Sequence, residues 1–289
     1  MSTLEIRELS TPQDLDHLTR VFDDIWHPDP TNRPASADML RALSHAGNYV
    51  VGAYVDGALA GGSVGFFAAP LGESLHSHMT GVSRLGAGHQ VSYALKLHQR
   101  EWALARGITT ITWTFDPLVA RNAYFNVTKL GAQPTSYHRD FYGDIGDELG
   151  GADESDRVLM SWSLPDAPTS ASRTDTASTD IAGSDITGSD IAGAGAAAPV
   201  GDAQVIELID VSDLSHPTLT EARYTDADTL HIAVPRDIEG LRRTDPRTAS
   251  RWRTVSREAL SPLLSGPSGR PVAFRRSGCY VFGPKEADA

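Results

Sequence analysis

Two histidines one residue apart, His76 and His78, lie in an alternating stretch from Leu75 to Val82 and so share one face of an expected β-strand. A neutral imidazole in that position can take a proton from an attacking amine, because histidine titrates near neutrality. Such help matters: an alkylammonium of pKa about 10.4 is free amine only about one part in 10³ at pH 7, a deficit of about 4 to 5 kcal/mol. Directly downstream, Gly86, Ala87, Gly88, His89 and Gln90 form a glycine-containing run that leads into a helical pattern starting with Val91 and Ser92. Backbone N–H groups in such a loop, at the positive end of a helix, suit a pyrophosphate. An anion cradle beside a proton acceptor points to group transfer from a phosphate-bearing donor.

The elements that must hold these groups read as an alternation of strands and helices. Leu4 to Leu9 alternates as a strand, and Thr11 to Trp26 reads as a helix with Thr11 as N-cap and Pro12 at its first position. A second helix is expected over Ala35 to His45. Strands Tyr49 to Val55 and Leu59 to Phe67 flank Asp56-Gly57, a hairpin signal. After the Leu75 to Val82 strand, a helix from Val91 to Arg106 is ended by Gly107. A strand over Ile108 to Phe115, a helix over Arg121 to Leu130 and strands over Ser136 to Tyr142 and Arg157 to Leu164 complete the first part. The order predicts an α/β (α+β) fold: a mixed, mostly antiparallel sheet flanked by helices.

Composition divides the rest. Residues 1–164 form the first domain, and from 165 to 201 the chain repeats pentads such as TDIAG, SDITG and SDIAG with no aromatic residue. That tract cannot bury enough surface to offset its ordering entropy and is expected to be a flexible linker. Residues 202–289 read as a small extension that docks on the first domain, with strands over Val205 to Ile209 and Leu230 to Val234. A helix over Asp245 to Leu260, ending before Pro262, and a hairpin over Val272 to Arg275 and Cys279 to Phe282 follow.

With 40% hydrophobic residues in a chain of 289, a real core can form, and a formal net charge of -12 argues against a broad grip on nucleic acid. No apolar run reaches membrane-spanning length, and the first residues lack a signal peptide's pattern, so a cytoplasmic protein is expected. Cys279 is the single cysteine and reads as a packed strand thiol.

The element order, with the strand ending at Val82, the loop and the helix around Ala94-Leu95, resembles the GNAT superfamily of N-acetyltransferases over roughly Leu4 to Leu164. The superfamily's loop pattern, Arg/Gln-x-x-Gly-x-Gly/Ala, falls on Val82 to Ser92, with Ala87 at the basic or Gln position and Gln90 and Ser92 at the two small ones. The resemblance implies acetyl-CoA or another acyl-CoA as co-substrate, held by Val82, Gly86, Ala87, Gly88, His89, Gln90, Val91 and Ser92. In DPLVARNAYFNVTKLG it further implies Asn122 and Phe125 at the CoA arm. The position of the superfamily's proton-donating tyrosine is taken by Val127, with Tyr124 the nearby substitute. His76 and His78 resemble the His-x-His pair of aralkylamine-type members. SHMTGV, ALKLHQREWALARG, ITWTFDPL and SDR are similar to a subgroup of predicted acetyltransferases with a C-terminal extension.

The expected function is acyl-CoA-dependent N-acylation of a small amine by direct attack on the thioester. His78 and His76 would act as bases, Tyr124 as a polar substitute for the missing acid, and no metal is called for. A catalytically silent binding or sensor module, or transfer from another acyl donor, is the alternative, and a homodimer is compatible with either. Gly61 to Gly65 satisfies GxSxG, but Ser63 falls inside an expected strand rather than at a strand-to-helix apex. The arginines 242, 243, 247, 251, 253 and 257 read as a solvated face, with donor phosphate or an acidic patch on the first domain as the competing partners.

Overall fold

The computed structural model describes residues 2–29, 33–143, 153–165, 204–265 and 271–283. The expected linker therefore lies outside the described residues, apart from Pro165. In the first part the strands are β1 (Leu4–Glu8), β2 (Tyr49–Val55), β3 (Ala58–Ala68), β4 (Ser74–Val82), β5 (Thr110–Phe115), β6 (Gln133–His138) and β7 (Arg157–Ser163). They form one seven-stranded sheet in the order β1-β2-β3-β4-β5-β7-β6, antiparallel throughout except for β4 against β5. The expected mixed sheet is the one observed.

Local chemistry explains the starts and turns. In α1 (Pro12–Trp26) the Asp14 N–H donates to Thr11 Oγ1 at 3.2 Å, and Pro12 fills the first turn, where its missing N–H costs nothing. Asp56 and Gly57 both take positive φ, 49° and 84°, as a tight hairpin turn between β2 and β3 demands. Every residue of β2 is buried, because helices cover both of its faces. Val50 and Tyr54 pack with α1 and α2 (Ala37–His45), while Tyr49, Val51 and Ala53 face α3 (Val91–Leu104). Among the described residues no helix is long and apolar enough to cross a membrane.

Three expectations shift. β6 begins earlier than predicted and ends at His138, so Tyr142 lies in a loop. The helix expected over Arg121 to Leu130 is a short α4 (Ala120–Ala123) that widens into a π-turn over Tyr124–Lys129. In the extension, Pro262 lies inside α6 (Pro246–Ser265) rather than beyond it. Its missing N–H leaves only the carbonyl of Glu258 without a helical partner, and Glu258 is exposed to water.

A helix unmarked in the sequence, α5 (Ile238–Thr244), precedes α6. The extension's sheet contains β8 (Val205–Glu207), β11 (Thr229–Ala233), β12 (Pro271–Arg275) and β13 (Cys279–Phe282), and β9 (Ile209–Asp210) pairs separately with β10 (Thr218–Leu219).

The expected solvated arginine face is overturned for three of its members. Arg253 grips Asp116, the residue after β5, through two hydrogen bonds of 2.8 Å and reaches Asp153 at 3.1 Å. Arg242 pairs with the same two aspartates, and Arg257 pairs with Asp156 and Glu154. Arg242 and Arg253 are 9% and 2% exposed, so these charges are held by partners and not by water.

Candidate active site

The parallel pairing of β4 with β5 lasts for three residue pairs, Ser74↔Thr110, Leu75↔Ile111 and His76↔Thr112. Beyond it β4 continues to Val82 beside β3 alone, and β5 continues to Phe115 beside β7 alone. The two strands therefore splay from an apex at His76 and Thr112. β4 is also bulged there: Val64 pairs with Met79 but the next residue, Gly65, pairs with Ser77, so His78 is the extra residue. The bulge turns the strand over, which is why Leu75 packs toward α3 while Met79 packs toward α1 and α2.

Both histidines sit at the apex with their rings on Phe66, at centroid distances of 5.3 and 5.6 Å, and 6.3 Å from each other. His76 Nδ1 lies 3.1 Å from Thr112 Oγ1. Burial, then the neighbouring His78 and Lys96, push His76 down to about 4; burial also lowers His78. Both imidazoles are neutral at pH 7 and can accept a proton.

The loop closes the other end of β4. Arg84–Gly86 forms one 3₁₀ turn, and a Cβ on Gly86 would stand 2.5 Å from Val82 Cγ1, so only glycine fits. Gly88 and Gln90 take positive φ of 83° and 54°. Gln90, a bulky residue at a small position of the loop pattern, thus also occupies a backbone region that favours glycine. The α3 N-terminus has no side-chain cap and no acidic residue in its first turn, which leaves its positive end to an anion. Arg84 is the exposed cation of the loop, and His89 Nδ1 lies 3.0 Å from Ser2 Oγ.

Lys96 is the residue that sequence reasoning missed. It is buried on α3, with Nζ 2.9 Å from Ser77 Oγ and 3.3 Å from Gln99 Oε1, and 4.1 Å from the centre of the Trp113 ring. Ser77 and Trp113 are the first residues of β4 and β5 beyond their paired stretch, so the ammonium bridges the base of the splay from the α3 side. Burial lowers it to about 7. Gln99 is fully buried with Nε2 unpartnered among the described residues. The available signal was positional: Lys96 and Gln99 interrupt the apolar stripe of Leu95, Trp102 and Ala103.

In the second expected binding segment, Asn122 is exposed and Phe125 meets Tyr93 of α3 edge-on at 6.5 Å, so this segment flanks the start of α3. Val127 is buried. Tyr124 lies under Arg276 of the extension at 5.1 Å, and among the described residues no hydrogen bond or ring contact joins it to His76, His78 or Lys96. Trp113 and Phe115, the two aromatic residues of β5, are core residues. Ser63 is buried in β3, with Oγ bonded to the Met79 carbonyl at 3.1 Å. Burial and Glu207 push the Cys279 thiol up to about 11, so it stays protonated.

No family model matches the chain, and no curated protein matches it. Solved structures similar to it include an acetyltransferase assigned to the GNAT family from Desulfovibrio desulfuricans, at 18% identity and a TM-score of 0.46, over 56% of this chain and 99% of that one. The ribosomal-protein-S18-alanine N-acetyltransferase from Escherichia coli matches at 14% identity and a TM-score of 0.46, over 56% and 94%. The PaiA N-acetyltransferase from Thermoplasma acidophilum, in complex with coenzyme A, matches at 16% and 0.41, over 56% and 99%. These acetyltransferase structures are similar in fold to part of this chain, each over about 56% of it.

Proposed function

We propose that the protein transfers an acyl group from acyl-CoA to a small amine. The observation that carries this reading is the splay: β4 beyond His76 offers unpaired backbone groups to an extended donor arm. An uncapped helix end stands at the far end of that strand and two neutral histidines at its apex. The donor's pyrophosphate would lie on the loop from Gly86 to Ser92, with Asn122 and Phe125 flanking the arm. The amine would attack the thioester carbon directly, and His78, the less suppressed of the two imidazoles, would take its proton. As the C–S bond breaks, the departing thiolate would take a proton from the Lys96 ammonium. A thiolate whose thiol has a pKa of about 8.5 is a stronger base than an amine whose ammonium titrates at about 7, so that transfer runs downhill. In this reading Lys96, not Tyr124, supplies the acid that Val127 lacks.

The test is calorimetry with CoA and acetyl-CoA, followed by a screen of amines for free thiol release. Binding without release from any amine would favour the silent sensor, for which the left-handed Gln90 in the cradle and the buried Val127 are the supporting observations. No binding at millimolar CoA removes both.

A further inference from the structure

The sheet face that carries the histidines also carries a cation without a carboxylate partner among the described residues. In β7, Val158, Met160 and Trp162 are buried in the core, so Arg157, Leu159 and Ser161 point to the opposite face. Those residues pair with β5 at Thr112↔Ser161 and Thr114↔Leu159, which sets them beside the threonine bonded to His76. Thr112, Thr114, Arg157, Leu159 and Ser161 are all half-buried, a groove floor rather than a core. Tyr142 lies across that floor, with its hydroxyl 3.1 Å from Thr114 Oγ1 and its ring 5.3 Å from the Arg157 guanidinium carbon.

Arg157 differs from the other arginines of this region. Arg242, Arg253 and Arg257 each face at least one carboxylate within ion-pair distance. Arg157 has none among the described residues; its one hydrogen bond there runs from Nη1 to the carbonyl of Asp156 at 2.9 Å. The nearby Asp116 is already taken by Arg242 and by both ends of Arg253. Burial makes the charged guanidinium less favourable and lowers its pKa, against the pull of Asp116. A half-buried cation of this kind is stabilised by an anion, and the planar fork of a guanidinium fits a carboxylate.

We propose that the acceptor is an amine that also bears a carboxylate, held by Arg157 beside Tyr142 and Thr114. This deepens the transferase reading and rests on it. Thr114 lies two residues, about 7 Å, along β5 from the Thr112 bonded to His76, and Tyr142 joins Thr114 to Arg157, so cation and base share one strip of the floor. One cation with one hydroxyl pair suits a monoanion rather than a phosphate.

The experiment pairs each amino acid with its decarboxylated amine, for example phenylalanine with phenethylamine, and measures acetyl-CoA-dependent acylation of both. The acid is expected to exceed the amine at least tenfold in kcat/KM. Arg157→Gln should collapse that ratio mainly through KM, and Arg157→Lys should restore part of it. CoA affinity and the thermal midpoint report that the variants are folded. Calorimetry with an N-acetyl amino acid, without CoA, gives a second readout that should lose its heat in Arg157→Gln. Equal transfer to acid and amine overturns the carboxylate site and leaves the transferase standing. Arg157-dependent binding of the acid without transfer to either acceptor does the reverse.

Discussion

Replacing Lys96 with methionine should make the protein more stable near neutrality while removing activity. The ammonium is buried, touches a hydroxyl, an amide oxygen and an indole face, and has no carboxylate partner among the described residues. Moving from 10.5 to about 7 corresponds to about 5 kcal/mol of preference for the neutral amine over the ammonium in the fold. The unfolded chain binds more protons than the folded one between those two values, so wild-type stability should climb as pH rises from about 7 toward 10.5 and be lowest below 7. His76 gives a similar rise between about 4 and 6.5, a separate window. Methionine fills the stem's volume with no charge, so Lys96→Met should be more stable at pH 6 by roughly 1 to 4 kcal/mol, as for other buried charges replaced by apolar groups. Urea unfolding of both proteins at pH 6, 7.5 and 9 measures this; the difference should shrink with pH. Acyl transfer by the variant should fall with CoA affinity retained. Loss of stability at pH 6, or full activity in the variant, refutes the reasoning and makes the lysine a paired structural residue.

Gln90→Gly should strengthen CoA binding, because glycine accepts the φ of 54° at no strain and removes a side chain from the cradle; calorimetry reads the change. His78→Ala should lower kcat/KM by about 10² to 10⁴, the usual worth of a positioned base, whereas His76→Ala should cost less, since a base near 4 is weak at pH 7. Arg253→Leu should cost about 3 to 5 kcal/mol in urea, because it strips a buried aspartate pair of its main partner. The Arg253 and Arg242 charges hold Asp116 far below its ordinary 3.8 against its burial. Its contribution should therefore be present above that value and vanish as acid drives pH further down, a loss visible in the acid unfolding of the wild type.

The frame was legible because it is written in local chemistry. The Thr11 cap, the Asp56-Gly57 turn and the strand, loop and helix from Ser74 to Leu104 each depend on a few neighbouring residues. The functional detail depends on partners distant in sequence. The bulge at His78 exists only in the register of β4 against β3, and alternation alone placed the histidines on one regular strand. Lys96 looks like a solvated helix residue until α3 is laid over the diverging strands. Arg253 and Asp116 are 137 positions apart, so nothing near either of them distinguishes a buried pair from a charged surface. The π-turn over Tyr124–Lys129 likewise has no residue signature, and it displaces the helix register that relates Tyr124 to Val127.

That same turn is gripped from outside. Thr128 Oγ1 accepts from the Phe274 N–H and donates to the Phe274 carbonyl, both at 2.9 Å, as a strand neighbour would, and Tyr280 donates to the Pro117 carbonyl at 2.8 Å. With Asp116 held by two arginines of the extension, the corner leading out of β5 is clamped at both ends by a piece of chain that begins beyond Gln204. The corner is thus completed in the manner of a split protein, whose halves carry complementary surfaces and need a peptide bond only to stay near each other. Residues 1–165 and 204–289, coexpressed as separate polypeptides, should purify as one complex. A covalent link between two such parts adds only effective concentration, about millimolar for short tethers.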